Sequence, residues 1–164
     1  IDELKCNYLS NPIGVETCRP CLSWVLNSDE RGQCQTAYHV LVASSREAFE
    51  RNEGDLWDSG KVESDRSIQV VYDGKHLKSR QRCFWKVRVW DRDHQVSLWS
   101  QSAYWEMGLL DQKDWHAQWI STVRINVGPS DPPPAPIFRH AFRLEKPVVY
   151  ARAYVADWDI MSFT

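Results

Sequence analysis

The residue spacing that most directly suggests chemistry is Cys18-Arg19-Pro20-Cys21, a C-x-x-C pair that could form half of a structural zinc site or a thiol redox motif. A zinc site needs a second pair of ligands, and neither another C-x-x-C nor an H-x-x-x-H lies downstream. A redox motif opens a helix, whereas Cys21 begins the strand-like run Cys21 to Leu26. With Cys6, Cys34 and Cys83 the total is five, an odd number at irregular spacing, so the thiols read as packing residues that bind no zinc. The acids Asp55, Asp58, Glu63, Asp65, Asp91 and Asp93 invite a search for a glycosidase pair. The first four flank a short strand and the last two a turn, where solvated carboxylates are ordinary, and nothing marks a pocket that would raise one pKa. His39, His76, His94, His116 and His140 follow no ligand spacing. Trp57, Trp90, Trp99 and Trp158 are the indoles expected to reach the surface. They could form a sugar-stacking platform. The favoured reading is a cation–π ladder, because Lys86 and Arg88 alternate with Phe84 and Trp90 on one strand face. No catalytic, cofactor-binding or metal-binding residue is therefore expected.

Composition agrees with that modest chemistry. Nine tryptophans in 164 residues is a heavy load that suits a β-rich core. A formal net charge of -2, with both signs scattered, argues against nucleic acid as a partner, and no basic run points to a membrane surface. No apolar run is long enough to span a bilayer, and Ile1 opens no signal-peptide pattern.

The elements that must position these residues read almost entirely as strands. Arg82 to Trp90 alternates strictly, Cys83, Trp85, Val87 and Val89 against Phe84, Lys86, Arg88 and Trp90. A tight turn at Asp91 to His94 then leads to a second arm, Trp99 to Met107, with Trp99, Gln101, Ala103 and Trp105 on one side. Upstream, Leu4 to Leu9, Cys21 to Leu26, Thr36 to Ala43, Leu56 to Val62 and Ser67 to Tyr72 read as strands, with Tyr38, Val40 and Val42 facing the core and Gly60 marking a bend. Asn11-Pro12-Ile13-Gly14 reads as a turn, and Ser44 with Glu47 as the capping box of a helix of one or two turns. Short strands at roughly ten-residue spacing are the pattern of a fibronectin type III or Ig-like β-sandwich.

After the hairpin the texture changes. Trp115 to Ile120 is a new aromatic run, and Gly128 to Pro136 is a proline-rich path. Ile137 to Leu144, Val148 to Val155 and Asp159 to Phe163 read as further strands, too few to bury a face alone. The expected organisation is an all-β fold with one sandwich over residues 1–112 and the opening strands of a second, jelly-roll-like sandwich over 113–164.

With these residues in view, the chain resembles the N-terminal region of bacterial α-L-rhamnosidases of glycoside hydrolase family 78. The matching blocks are NPIG at Asn11, CLSW at Cys21, QTAYHVLVASS at Gln35, LWDSGKVESDRS at Leu56, LKSRQRCFWKVRVWD at Leu77, SLWS ending at Ser100 and YWEMGLL at Tyr104, with Trp105 second. DWHAQWI at Asp114 and IFRHAFRL at Ile137 resemble the entry to that family's second domain. The resemblance implies an inverting exo-hydrolase for terminal α-L-rhamnose whose paired carboxylates lie in an (α/α)6 barrel outside this chain. It implies no cofactor. The implied partners are the barrel and other β modules of the same polypeptide and, through them, rhamnose-containing glycans. The implied address is periplasmic or secreted, with the cytoplasm left open. A free-standing fibronectin-type interaction module or a carbohydrate-binding module is the alternative. Two departures stand out: Cys83 occupies a position usually aromatic, often a Tyr that ties a corner through its hydroxyl, and His94 replaces a usual Gly in the hairpin turn.

Overall fold

The computed structural model describes residues 1–120, 137–143, 145, 147, 148 and 150–156. The alternation of Arg82–Trp90 (β7) puts Cys83, Trp85 and Val87 wholly out of solvent and leaves Phe84, Arg88 and Trp90 half-buried on the other face. Along one edge β7 pairs antiparallel with Ala37–Ala43 (β3), from Ala37 opposite Trp90 to Ala43 opposite Phe84. The far edge of β3 carries two short strands, Trp57–Asp58 (β4) and Val62–Glu63 (β5), separated by a bend at Gly60 with φ +59. Ala103–Glu106 (β8) completes this five-stranded sheet beside β7. Asp2–Cys6 (β1), Cys21–Val25 (β2) and Val70–Val71 (β6) form a three-stranded sheet in the order β1-β2-β6. Between the sheets lies one core of Leu22, Trp24, Val40, Val42, Tyr72, Leu77, Trp85, Val87, Trp105 and Met107, among others. This is the expected sandwich, with Val40 and Val42 inward and Tyr38 packed at the margin.

The second arm of the hairpin departs from expectation. Asp91 Oδ1 accepts the Asp93 and Gln95 amides at 2.9 and 2.8 Å, and His94 sits at φ +60, so the turn forms as read. Regular pairing then waits until Ala103. Trp90 bridges Val96 and Trp85 faces Ala103, so six residues of β7 run beside eight of the returning chain. The Ser97 and Ser100 hydroxyls absorb the excess, each accepting a β7 amide (Val89 and Val87) at 3.1 Å in place of a ladder carbonyl. Ser97 pairs with Val89 and Ser100 with Val87, three steps of the returning chain against two of β7, and this one-residue excess puts Trp99 over Lys86 and Arg88 on the outer face; a second extra residue between Ser100 and Ala103 restores the parity, so Ala103 and Trp105 point inward.

Other boundaries move for local reasons. β1 stops at Cys6 because Asn7 and Tyr8 adopt φ +47 and +67 and reverse the chain, with paired Cys6 and Leu9 backbone bonds of 2.9 and 3.0 Å. The short helix Arg46–Glu50 (α1) is capped by Ser45, whose hydroxyl accepts the Ala48 amide at 3.2 Å. Ser44 is engaged elsewhere, donating its amide to Asp55 at 2.8 Å and its hydroxyl to the other carboxylate oxygen. Tyr72, just past β6, makes a hydroxyl tie of its own: Tyr72 Oη lies 2.7 Å from the Lys75 carbonyl and 3.2 Å from that of Leu56. Cys83 itself is wholly buried, and burial pushes its thiol well above the ordinary range.

The chain divides into two units, Ile1–Ala117 and Gln118–Thr164. The first ends after a 3-10 turn, Gln112–Asp114, capped by Asp111. The described residues of 115–120, 137–143 and 150–156 form no strand, and Trp119, Ile120, Ile137 and Phe142 are exposed. The strands expected at Trp115 to Ile120, Ile137 to Leu144 and Val148 to Val155 are thus not formed by the described residues; a strand needs a partner edge and a face to cover. The Gly128 to Pro136 and Asp159 to Phe163 stretches lie outside the described residues.

Gln35, 4% exposed, ties the sandwich together: it accepts Trp24 Nε1 at 3.0 Å and donates to the Ser64 and Arg66 carbonyls at 3.0 and 2.9 Å. Gln35→Leu strips partners from a buried indole N–H and leaves those carbonyls short. We expect a loss of about 1–3 kcal/mol in urea unfolding, against no measurable change for Glu16→Ala on the surface.

Candidate functional site

Cations, aromatic rings and an imidazole converge on the outer face of the five-stranded sheet. β7 places Phe84, Lys86, Arg88 and Trp90 along it, β3 adds His39, β4 adds Asp58, α1 adds Phe49, and the bulge delivers Trp99. Arg88 lies 4.6 Å from the Trp99 centroid and 5.4 Å from that of Trp90, and Lys61 stands 5.1 Å from Trp90. Lys86 Nζ lies 4.2 Å from the Phe49 ring centroid and 5.3 Å from that of Trp99. Arg82 over Tyr104 at 5.3 Å and Arg46 over Phe84 at 5.9 Å continue the series. This is the expected cation–π ladder, extended past the hairpin onto α1.

His39 sits at the centre of the face. Arg88 donates to its Nδ1 from Nη2 at 3.1 Å and Nε at 3.3 Å, so Nδ1 is an acceptor and Nε2 carries the hydrogen toward Asp58 Oδ1 at 2.6 Å. Burial pushes the Asp58 carboxyl up, but the Gly60 amide, the His39 hydrogen bond and the charges of His39 and Arg88 outweigh it and hold it below its ordinary 3.8. The grouping looks like an Asp–His relay, yet the nitrogen that would take a proton from a nucleophile is occupied by an arginine. It cannot serve as the general base of a triad.

Lys86 is the most buried cation, 6% exposed, its ammonium donating to Asn52 Oδ1 at 2.6 Å and the Phe49 carbonyl at 3.1 Å. Both partners are neutral, and burial lowers its pKa. Beside it a cavity of about 320 Å³ opens, lined by Arg46, Phe49, Glu50, Phe84, Trp99 and Lys86 itself, with Ser100 and Ser102 at the edge. Sequence alternation placed Lys86 on this face but gave no sign that α1 would fold over it. The Phe49 carbonyl and Asn52, at φ +59 just past the helix, are the residues that reasoning missed.

The remaining candidates are held apart. Asp55 binds Ser44, Asp91 its own turn, Glu63 pairs with Lys61 at 2.7 Å, Asp93 lies 3.8 Å from Arg92, and Asp65 is exposed. None faces a second acid across a cleft among the described residues. Cys18 and Cys21 are half-buried and unbridged, and no three His, Cys, Asp or Glu residues gather as a metal cluster among the described residues. Trp57 packs edge-on against buried Tyr72 at 5.5 Å. His76, His94, His116 and His140 are exposed and scattered. Trp158 lies outside the described residues.

Comparison with known proteins adds a family. The model of the Rha78A-like, N-terminal immunoglobulin domain matches residues 1–111. An α-L-rhamnosidase of Formosa agariphila is 38% identical over 99% of this chain and 19% of its own length. One of Streptomyces avermitilis is 47% identical over 70% of this chain and 11% of its own. The solved structure of an α-L-rhamnosidase from Dictyoglumus thermophilum superposes with TM-score 0.72 and 42% identity, covering 74% of this chain and 14% of that one. The Streptomyces avermitilis enzyme complexed with L-rhamnose gives 0.70 and 43%, over 74% and 12%. The chain therefore spans less than a fifth of each of these relatives.

The Asp58 linkage has a definite sign. A carboxylate with a lowered folded pKa contributes stability above its unfolded value of 3.8 and loses it as pH falls through the folded value. With the Asp58 side chain 55% exposed, solvent screening keeps that contribution below ~1 kcal/mol. Asp58→Asn should lower the urea midpoint slightly at neutral pH and shrink the drop in midpoint between about pH 5 and about pH 2.

Proposed function

This chain belongs to the Rha78A-like N-terminal immunoglobulin domains of bacterial α-L-rhamnosidases, and we propose that it serves such an enzyme as a non-catalytic accessory module. The observation that carries this is the family match over 1–111 in a chain whose relatives are at least five times longer. The site chemistry supports it. Among the described residues the buried cation Lys86 is held by neutral groups, the His39–Asp58 pair is blocked by Arg88, and the candidate acids are each bound locally or exposed. The parent reaction is then the inverting release of terminal α-L-rhamnose, with its carboxylate pair in a helical barrel beyond these residues. The other β modules and that barrel are the module's partners. Its boundary falls within 112–117, where the capped 3-10 turn ends the first unit. Residues 118–164 begin the neighbouring β module.

Purified chain 1–164 incubated with an aryl α-L-rhamnoside should release the aglycone no faster than buffer. A parent enzyme carrying this module should turn the substrate over under the same conditions. Rhamnose release by the isolated chain would refute the accessory reading.

A further inference from the structure

The cavity between α1 and the bulged strand is not explained by an accessory role. Lys86 has three ammonium donors, of which the Asn52 and Phe49 oxygens take two, and it makes no ion pair among the described residues. Arg46, at the cavity rim, likewise makes no ion pair there and lies over the Phe84 ring. A cation this deep, held by two neutral oxygens and two ring faces, has its desolvation only partly compensated, and a fixed anion alongside it would offset the rest. Phe49, Phe84 and Trp99 supply the walls, and flat apolar walls select a ligand with an apolar face. Glu50 is the single acid of the lining, so the site keeps an excess of positive charge and also offers an acceptor for hydroxyl groups. A volume of about 320 Å³ lies at the small end of ligand clefts and suits one ring rather than an oligosaccharide.

We infer that this cavity binds one pyranose ring bearing a carboxylate, a hexuronic acid unit of a glycan. Its carboxylate lies toward Arg46 and Lys86, its C–H face rests on the aromatic wall, and its hydroxyls reach Glu50. This goes beyond the accessory reading and does not depend on it, because an inert spacer and a uronate-binding module are equally silent toward an aryl rhamnoside.

The test is calorimetric titration of chain 1–164 with the methyl glycosides of galacturonic and glucuronic acid, and with methyl α-L-rhamnoside and sodium acetate as comparators. The expected result is saturable millimolar binding of at least one uronide, at least fivefold weaker for rhamnoside and for acetate. Arg46→Ala, an exposed change that spares the core, should weaken the uronide at least fivefold. Trp99→Ala should weaken it similarly, and Lys86→Met should abolish it, with the circular dichroism spectrum of each variant confirming a folded chain. Absence of saturable binding to both uronides overturns the proposal. So does wild-type affinity in Arg46→Ala, or equal affinity for acetate or rhamnoside.

Discussion

The sandwich depends on burying Trp24, Trp85 and Trp105, each at most 2% exposed, between its two sheets. Replacing one such indole by alanine costs about 3–5 kcal/mol, a large part of the margin by which a domain of this size stays folded. Every indole brings an N–H that the interior must accommodate. Trp24 gives its hydrogen to Gln35, and Trp105 points its own at Met107 Sδ, 3.2 Å away. Trp85 Nε1 has no hydrogen-bond partner among the described residues, on the strand flanked by β3 and β8. The positions of Gln35 and Met107 follow from this demand, and Gln35 extends it to the loop before β6.

What could be read from the residues was the part governed by strict alternation. β7 and β3 emerged with the right faces inward, and the bend at Gly60 followed from residue type, whereas the positive φ at His94 was hinted at only by the resemblance, which has Gly at that place. Helix capping was misplaced by one residue because Ser44 and Ser45 are chemically equal candidates; Asp55, eleven positions on, decides between them. The bulge was invisible because serine reads simply as polar, yet here two hydroxyls act as strand acceptors and turn Trp99 outward. The Tyr72 hydroxyl tie was equally hidden, since a phenol's partner depends on the third dimension. Of the outer-face cluster, the ladder was legible and the cover of Lys86 was not, because α1 reaches it through a backbone carbonyl that has no sequence signature.

The two faces of β7 divide the labour. The inner face is wholly apolar and fixes the fold. The outer face holds charges of one sign among rings, a chemistry suited to recognition and ill suited to acid–base work, since Arg88 stands on the imidazole nitrogen.

The stretch from Asn11 to Val15 has a role its turn-like sequence conceals. Asn11 Oδ1 takes the Tyr104 amide, the Pro12 carbonyl takes that of Glu106, and Val15 exchanges bonds with Glu106 and Gly108. The outer border of β8 is thereby closed by the molecule's own early residues, with Gly108 so near Gly14 that an added Cβ would meet its backbone at 3.3 Å. A polypeptide trimmed to start after Val15 would lose β1 and the core side chains of Cys6 and Val15, and would also expose a row of bare amides along β8, the template on which foreign strands assemble. Self-association into sheets, on top of a thinned hydrophobic interior, is therefore the failure to which this architecture is prone when shortened from the front.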